Sequence, residues 1–238
     1  MAIIEVNLKL NGAPALMMFR EKIERAASKG TILFYHGLYS RKETHRKELE
    51  SLAGRGFLAI AIDNLGHGGR QLVNLRDSLS GPDFEYKFLN LVKETALEIP
   101  GIIDELDKMG FADVEKLGIS GISMGGYITY AGVLADPRFK AAAPILGSPV
   151  WRGFNGDSPH SNPHLFYPVA LLSQNAGKDT SVPAYNARNF HNELKPYYRR
   201  TPQKLEYVEF PNSGHFMNAL DWHILWGNVI DWFDDYIR

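Results

Sequence analysis

Short apolar runs alternate along the chain with longer segments in which apolar residues recur at helical spacing. Apolar runs of about five residues are typical of strands that are buried on both faces of a sheet. Eight strands are predicted, at residues 3–10, 15–19, 31–35, 57–62, 117–120, 141–146, 169–173 and 205–210. Helices are predicted at residues 43–55, 87–109 (with a break at Pro100), 124–135, 183–194 and 219–237. Strands and helices in this order predict an α/β fold, with a mostly parallel sheet of about eight strands and helices on both faces.

The first two predicted strands differ from the others because only a turn separates them. Residues 3–10 alternate apolar and polar side chains, and Asn11-Gly12-Ala13-Pro14 follows as a turn before the apolar segment 15–19. This pattern predicts an antiparallel hairpin, with both of its strands at the edge of the sheet.

Composition limits the size of the protein and the class of its partners. The chain of 238 residues fits one α/β domain spanning residues 1–238, and no shift in composition marks a second domain. The formal net charge of −1 gives no electrostatic reason to expect nucleic acid or a membrane surface as a partner. The chain has no cysteine, which excludes disulfides and thiolate catalysis. Neither a signal-peptide pattern nor a long apolar run is present, so the expected location is the cytoplasm.

Ser123 lies in the segment with the clearest chemical pattern. Residues 116–126, Lys-Leu-Gly-Ile-Ser-Gly-Ile-Ser-Met-Gly-Gly, predict a strand, a sharp turn and a helix. Gly121 and Gly125 permit the strained backbone that such a turn requires, and the amide of Met124 would point toward charge developing beside the serine. Glycine-rich turns also occur wherever a helix packs tightly on a strand, so the pattern alone leaves a purely structural explanation open.

A serine nucleophile needs a general base within hydrogen-bond reach and a group that orients that base. His215 directly follows a predicted strand and lies in a tight turn that contains glycine, residues 211–215. Asp179 follows the predicted strand at 169–173 and precedes a predicted helix. Both residues are therefore expected at the carboxyl edge of the sheet, where Ser123 emerges.

Five motifs occur in one order along the chain. They are residues 34–38 (Phe-Tyr-His-Gly-Leu), residues 63–68 (Asp-Asn-Leu-Gly-His-Gly), the turn at Ser123, residues 179–183 (Asp-Thr-Ser-Val-Pro) and Gly214-His215. Over nearly its whole length the chain thereby resembles an α/β-hydrolase, in particular the small bacterial carboxylesterases related to dienelactone hydrolases and prolyl oligopeptidases.

The resemblance implies an α/β-hydrolase fold and assigns roles to individual residues. Ser123 would be the nucleophile, His215 the general base and then the general acid, and Asp179 the carboxylate that orients His215. The backbone N–H groups of Leu38 and Met124 would form the oxyanion hole. No cofactor and no metal are expected.

Two features differ from parts of this family. Dienelactone hydrolases proper use cysteine at the turn, and epoxide hydrolases and haloalkane dehalogenases use aspartate, so Ser123 favours acyl transfer to water. The run 173–177, Ser-Gln-Asn-Ala-Gly, replaces a His-Gly pattern that is common in the family. It predicts a lengthened or reshaped turn before Asp179.

Other histidines have structural explanations. His67 lies in a glycine-rich turn whose shape it is expected to support, and His36 is expected to support the loop that carries Leu38. His160 and His164 have a spacing that suits zinc on a helix, but the prolines beside them disfavour a helix, and no third ligand is evident.

The segment 148–167 offers about twenty residues for a cap, so a small cap or loop insertion is predicted. The residues expected to line the substrate pocket are Tyr39, Trp151, Phe154, Phe166 and Phe216. Such an aromatic pocket suits a short acyl chain, which predicts a serine carboxylesterase acting on a small-molecule ester, as a monomer or homodimer. A thioesterase, a sugar-ester deacetylase or a peptidase would use the same triad, and a non-catalytic ligand-binding protein is the alternative from another class.

Overall fold

The computed structural model describes residues 2–237, which contain one eight-stranded sheet. The strands are β1 (Ile4–Leu10), β2 (Ala13–Phe19), β3 (Thr31–Tyr35), β4 (Leu58–Ile62), β5 (Leu117–Ile122), β6 (Phe139–Ile145), β7 (Ala170–Ala176) and β8 (Leu205–Phe210). Their order across the sheet is β1-β2-β4-β3-β5-β6-β7-β8. β2 pairs antiparallel with β1 and with β4, and the other pairings are parallel. The predicted mostly parallel sheet of about eight strands is confirmed.

β1 and β2 form the predicted hairpin. Asn11 and Gly12 in its turn have φ values of 48° and 81°, a left-handed conformation that asparagine and glycine tolerate best. β1 lies at the edge of the sheet, but β2 lies inside it, between β1 and β4. The prediction of two edge strands is therefore wrong for β2, which is buried along nearly its whole length, whereas β1 is mostly exposed.

Helices cover both faces of the sheet, as predicted. In the described part of the chain they are α1 (Ile23–Lys29), α2 (Arg46–Gly54), α3 (Leu75–Ser78), α4 (Phe84–Leu97), α5 (Ile99–Lys108), α6 (Met124–Ala135), α7 (Ala184–Leu194) and α8 (Ala219–Tyr236). α2 and α8 pack in the core on one face, and α1 and α4 to α7 pack on the other. Within residues 2–237, no helix has the length and apolar character needed to cross a membrane.

The helix boundaries differ from the prediction in two respects. α1 and α3 were not predicted, because segments of seven and four residues carry little periodicity. The long predicted helix breaks at Glu98 rather than at Pro100. Pro100 instead occupies the first turn of α5, where a missing backbone N–H costs no hydrogen bond.

β7 extends further than its sequence suggests. Gln174 and Asn175 belong to the strand and are almost completely buried. The side-chain amide of Gln174 donates to the carbonyl of Leu225 at 3.0 Å, and that of Asn175 donates to the carbonyl of Gly147 at 3.1 Å. The expected reshaped turn over 173–177 is therefore wrong, because paired amides are tolerated in a buried strand.

Candidate active site

Ser123 lies between the end of β5 and the start of α6. Its backbone has φ 56° and ψ −112°, and a positive φ in a residue with a side chain stores roughly 1–3 kcal/mol of strain. The amide of Ser123 donates to the carbonyl of Ile145 at 2.9 Å, which ties the turn to β6. The strained turn thus has support from the neighbouring strand.

Two glycines allow the helix to approach the sheet at this turn. A Cβ atom on Gly121 would lie 2.5 Å from the carbonyl oxygen of Gly125, and one on Gly125 would lie 1.9 Å from the carbonyl oxygen of Tyr35. Contacts this short are excluded in a close-packed interior, so any side chain there would push α6 away. The helix therefore does pack tightly on the strand at these glycines, and the residue between them, Ser123, is strained as well.

His215 joins Ser123 to Asp179. Its Nε2 lies 3.0 Å from Ser123 Oγ, and its Nδ1 lies 2.6 Å from Asp179 Oδ2. The carboxylate is fully buried, whereas the histidine side chain keeps 19% of its surface exposed. A carboxylate at Nδ1 holds the proton on that nitrogen, which leaves the lone pair of Nε2 directed at the serine hydroxyl. The structure thus brings the three residues into one hydrogen-bonded row.

The second oxygen of Asp179 fixes the orientation of the carboxylate. Oδ1 accepts hydrogen bonds from the amides of Ser181 and Val182, each at 2.8 Å. Aspartate side chains commonly accept such bonds from amides that follow them in a turn. Oδ2 therefore faces His215.

The loops that carry Asp179 and His215 continue the pairing of β7 and β8. Beyond the last ladder pair, the amide of Gly177 donates to the carbonyl of Phe210, and the amide of Lys178 donates to the carbonyl of Ser213, both at 2.8 Å. A Cβ on Gly177 would lie 2.8 Å from Pro211 Cα. Close contact between these two backbones therefore sets the distance between the acid and the base.

The start of α8 supports the histidine loop from the other side. Asn218 caps this helix, because its Oδ1 accepts from the amides of Leu220 and Asp221 at 3.0 Å. The hydroxyl of Ser213 donates to Asp221 Oδ2 at 2.5 Å. His215 is thus held between the end of β8 and a capped helix.

The loop after β3 passes beside the serine and depends on His36. The amide of Asn64 donates to His36 Nε2 at 3.1 Å, so the ring proton is on Nδ1, which donates to the carbonyl of Gly37 at 2.8 Å. Burial lowers the pKa of His36 to about 3. His36 is therefore neutral near pH 7 and supports the loop, in agreement with the role expected for it.

Leu38 lines the same cavity as Ser123, and Met124 directly follows Ser123 in the chain. Leu38 follows Gly37, where an added Cβ would come within 3.7 Å of Ser123 Cβ. Met124 is the first residue of α6, and helices leave the N–H groups of their first turn without intrahelical partners.

A cavity of about 970 Å³ opens at Ser123 and His215. Its volume lies in the upper part of the range usual for small-molecule sites. The walls are largely apolar and aromatic and include Leu38, Phe84, Phe88, Tyr127, Tyr185, Phe216 and Trp222. Two charged side chains, Glu85 and Arg152, also reach the lining.

The aromatic residues predicted to line the pocket mostly do not reach this cavity. Of the five, Phe216 lines it and is 96% exposed. Trp151, Phe154 and Phe166 are instead buried in the core on the side of α4 to α7. Large aromatic side chains in the segment 148–167 fill the space between that segment and the helices, and the prediction is wrong for these three.

Tyr39 also lies outside the cavity. Its backbone is left-handed, with φ 59°, and its ring lies 4.4 Å from the guanidinium carbon of Arg76. The strained turn directs the ring toward His67, with centroids 6.5 Å apart, rather than toward the serine. The predicted pocket role of Tyr39 is therefore wrong as well.

Several cavity residues escaped the sequence prediction. Tyr127 lies four residues after Ser123, one helical turn along α6, and this spacing could have identified it. Burial raises the pKa of Tyr127 to about 12, so it presents a neutral hydroxyl. Trp222 in α8 also lines the cavity, and its indole N–H donates to Glu48 Oε1 at 2.9 Å.

His67 and His160 have local hydrogen-bond partners. His67 Nδ1 lies 2.9 Å from the carbonyl of Leu65, and His160 Nδ1 lies 2.6 Å from Ser158 Oγ. Within residues 2–237, no three side chains of His, Asp or Glu converge in a way that could hold a metal ion.

The chain is similar to known proteins over most of its length. Residues 32–235 match the sequence model of the alpha/beta hydrolase family. The chain is 25% identical to "Putative esterase YitV" from Bacillus subtilis, over 260 aligned positions that cover 97% of this chain and 98% of that protein. It is 27% identical to "Putative carboxymethylenebutenolidase" from Escherichia coli, over 52% of this chain and 48% of that protein, and thus spans about half the length of this relative.

A solved structure shares the fold over almost the full length. TT1662 from Thermus thermophilus superposes with a TM-score of 0.78 at 20% sequence identity, covering 98% of this chain and 99% of that one. At this level of identity the similarity concerns the arrangement of the strands and helices.

Proposed function

The chain belongs to the alpha/beta hydrolase family, and from that premise we propose that it is a serine hydrolase that cleaves short-chain carboxylic esters through an acyl-enzyme intermediate. The observation that carries the proposal is the row of hydrogen bonds from Asp179 through His215 to Ser123, beside an apolar cavity. YitV, which is similar over nearly its whole length, has the word esterase in its name, and this supports the same class of reaction.

In the first half of the reaction, Ser123 Oγ attacks the ester carbonyl carbon while His215 Nε2 takes the hydroxyl proton. The imidazolium that forms is stabilised by Asp179, whose Oδ2 already accepts the proton on Nδ1. His215 then gives the proton to the departing alcohol oxygen, and the acyl group stays on Ser123. A general base in this position typically contributes ~10²–10⁴ in rate.

The carbonyl oxygen becomes an oxyanion during the attack and needs donors that are already in place. Leu38 lines the same cavity as Ser123, Met124 directly follows Ser123, and the N-terminus of α6 adds its dipole. A single donor of this kind contributes roughly 2.7–4 kcal/mol to the transition state. We assign the oxyanion hole to the backbone amides of Leu38 and Met124.

In the second half, water replaces the alcohol. His215 Nε2 takes a proton from a water molecule, which attacks the acyl carbon, and then returns the proton to Ser123 Oγ. The exposed fraction of the His215 side chain, 19%, leaves a route for this water. Hydrolysis therefore needs no group beyond the three side chains and the two amides.

The form of the cavity supports small, apolar esters as substrates. From the segment 148–167, only Val150 and Arg152 contribute to the lining, so entry does not require a large lid to open. Aromatic walls favour apolar acyl and alcohol groups over strongly charged ones. Thioesters, sugar esters and peptides would use the same three residues and differ in the leaving group.

The test is hydrolysis of p-nitrophenyl esters from acetate to palmitate by the wild-type protein and by Ser123→Ala. We expect the highest kcat/KM for the short esters and no turnover above background for Ser123→Ala. A variant with near wild-type activity would exclude Ser123 as the nucleophile, and a strong preference for palmitate would exclude the short-chain assignment.

A further inference from the structure

A second cavity, of about 600 Å³, lies between α7 and β8, away from Ser123. Its size is within the range of sites for small organic ligands. None of its lining residues belongs to the cavity at Ser123. The kind of ligand that this second cavity can bind therefore depends on its own lining residues.

The lining of this second cavity carries an excess of positive charge. Arg188, Lys195 and Arg199 all contribute to it. Arg188 is neutralised by Glu209, with two hydrogen bonds of 2.9 Å. Lys195 and Arg199 have no acidic partner within residues 2–237, where Arg199 donates only to the carbonyl of Pro196. Two cations at the lining are thus left for a ligand.

A buried histidine also contributes to the lining of the second cavity. His191 is 3% exposed, and its Nε2 lies 2.7 Å from Ser173 Oγ. Ser173 Oγ also lies 2.6 Å from the hydroxyl of Tyr130, which is fully buried and has no other partner among the described residues. Tyr130 must therefore donate to Ser173, and the single proton of Ser173 must go to His191 Nε2.

This direction of the hydrogen bonds puts the ring proton of His191 on Nδ1. Burial, reinforced by the charge of Lys195, lowers the pKa of His191 to about 3, so the ring carries that one proton near pH 7. Nδ1 has no hydrogen-bond partner in the described part of the chain and is not sealed from solvent. His191 is itself one of the residues that line the second cavity.

Apolar surface completes the cavity. Tyr198, Leu205 and Tyr207 also belong to its lining. A bare inorganic anion would leave this apolar surface in contact with water, whereas an organic group attached to the anion would bury it, which is favourable.

We propose that the cavity between α7 and β8 binds a small organic molecule that carries an oxyanion, a phosphate monoester or a carboxylate, on an apolar or aromatic body. The oxyanion accepts from His191 Nδ1 and pairs with Lys195 and Arg199, and the body packs on Tyr198 and Tyr207. The site is separate from the proposed hydrolytic centre and does not depend on the reaction assigned to it.

Calorimetric titration of the whole protein with phenyl phosphate, benzoate and inorganic phosphate tests this. We expect saturable binding of phenyl phosphate or benzoate, tighter than that of inorganic phosphate, and weakening in concentrated salt. Lys195→Ala and Arg199→Ala should each weaken binding roughly 10-fold, which is the loss of one hydrogen bond to a charged group. Lys47→Ala, an exposed lysine on α2 across the sheet, is the matched control and should bind as the wild type does.

Nitrogen-15 NMR of the histidine side chains gives a readout that does not rely on a buried variant folding. The ligand should shift the Nδ1 resonance of His191 and leave that of His36 unchanged. Binding of phenyl phosphate alone identifies phosphate esters, and binding of benzoate alone identifies carboxylates. Failure of both organic anions to saturate, or equal weakening by Lys47→Ala and the two cavity variants, would overturn the proposal.

Discussion

The backbone amide of Lys178 donates to the carbonyl of Ser213 at 2.8 Å, so the loop that holds Asp179 is bonded directly to the loop that holds His215. Acid and base are therefore positioned relative to each other by backbone contacts, before either side chain is considered.

Gly177→Ala should impair catalysis by separating the two loops. The new Cβ would lie 2.8 Å from Pro211 Cα, and only backbone movement can relieve that contact. A displacement of about 1 Å in a catalytic group can cost ~10²-fold, so we expect a fall in kcat of that order. The matched control is Gly227→Ala in α8, where a Cβ meets nothing within 4 Å. It should leave kcat unchanged, and wild-type kcat in Gly177→Ala would show that the loops tolerate separation.

Asp179→Asn should lower kcat by about 10⁴-fold while preserving the fold, because an amide facing Nδ1 favours the wrong histidine tautomer. The Oδ1 acceptor for Ser181 and Val182 would remain. Steady-state kinetics and thermal unfolding should be measured on the same samples. Asp157→Asn, a surface carboxylate paired with Lys93, serves as the control. A loss of only a few-fold in Asp179→Asn would mean that another group orients His215.

Phe216→Ala and Phe166→Ala should separate a cavity role from a core role. Phe216 is 96% exposed beside the serine, so its removal should raise KM for aromatic esters and leave the free energy of unfolding unchanged. Phe166 is fully buried, and its truncation should cost about 3–5 kcal/mol of stability. Urea unfolding and ester kinetics check both. The opposite pattern would restore Phe166 as a pocket residue.

The fold should lose stability in mild acid because of His36. An unfolded histidine titrates near 6.5, whereas burial lowers the pKa of His36 to about 3 in the folded protein. Between these values the unfolded chain binds a proton that the native protein does not, so the free energy of unfolding falls as the pH falls. Near pH 5, His36 alone lowers the free energy of unfolding by about 1.4 kcal/mol for each unit that the pH falls.

His36→Gln should make that dependence shallower, because glutamine can donate to the carbonyl of Gly37 and accept from Asn64 without titrating. Urea unfolding between pH 7 and 5 measures the slope. His223→Gln replaces an exposed histidine and should leave the slope as in the wild type. Identical slopes in His36→Gln and the wild type would mean that the protonated ring is tolerated in the fold.

The strands and the residues at their carboxyl ends could be predicted because their signals are local. Ser123 is marked by the glycines on both sides of it, and His215 by the turn directly after β8. The sequence predicts a turn at Gln174 and Asn175, because polarity alone does not reveal that their side-chain amides donate to carbonyls of distant segments.

The cavity lining depends on contacts that no local pattern encodes. Trp151 and Phe154 are of the aromatic type that often lines pockets, but they are buried against helices that are distant in sequence. Phe84 and Phe88, which do line the cavity, come from α4, a helix without a chemical motif. Whether an aromatic residue lines the cavity or lies in the core is therefore decided by tertiary packing.

The most direct test of the account is to treat the protein with a fluorophosphonate probe and to locate the adduct by peptide mass spectrometry. The serine, base and acid described above predict one adduct on Ser123, no adduct in Ser123→Ala, and much slower labelling in His215→Ala. No adduct on Ser123 in the wild-type protein, or labelling at full speed without His215, would contradict the proposed mechanism.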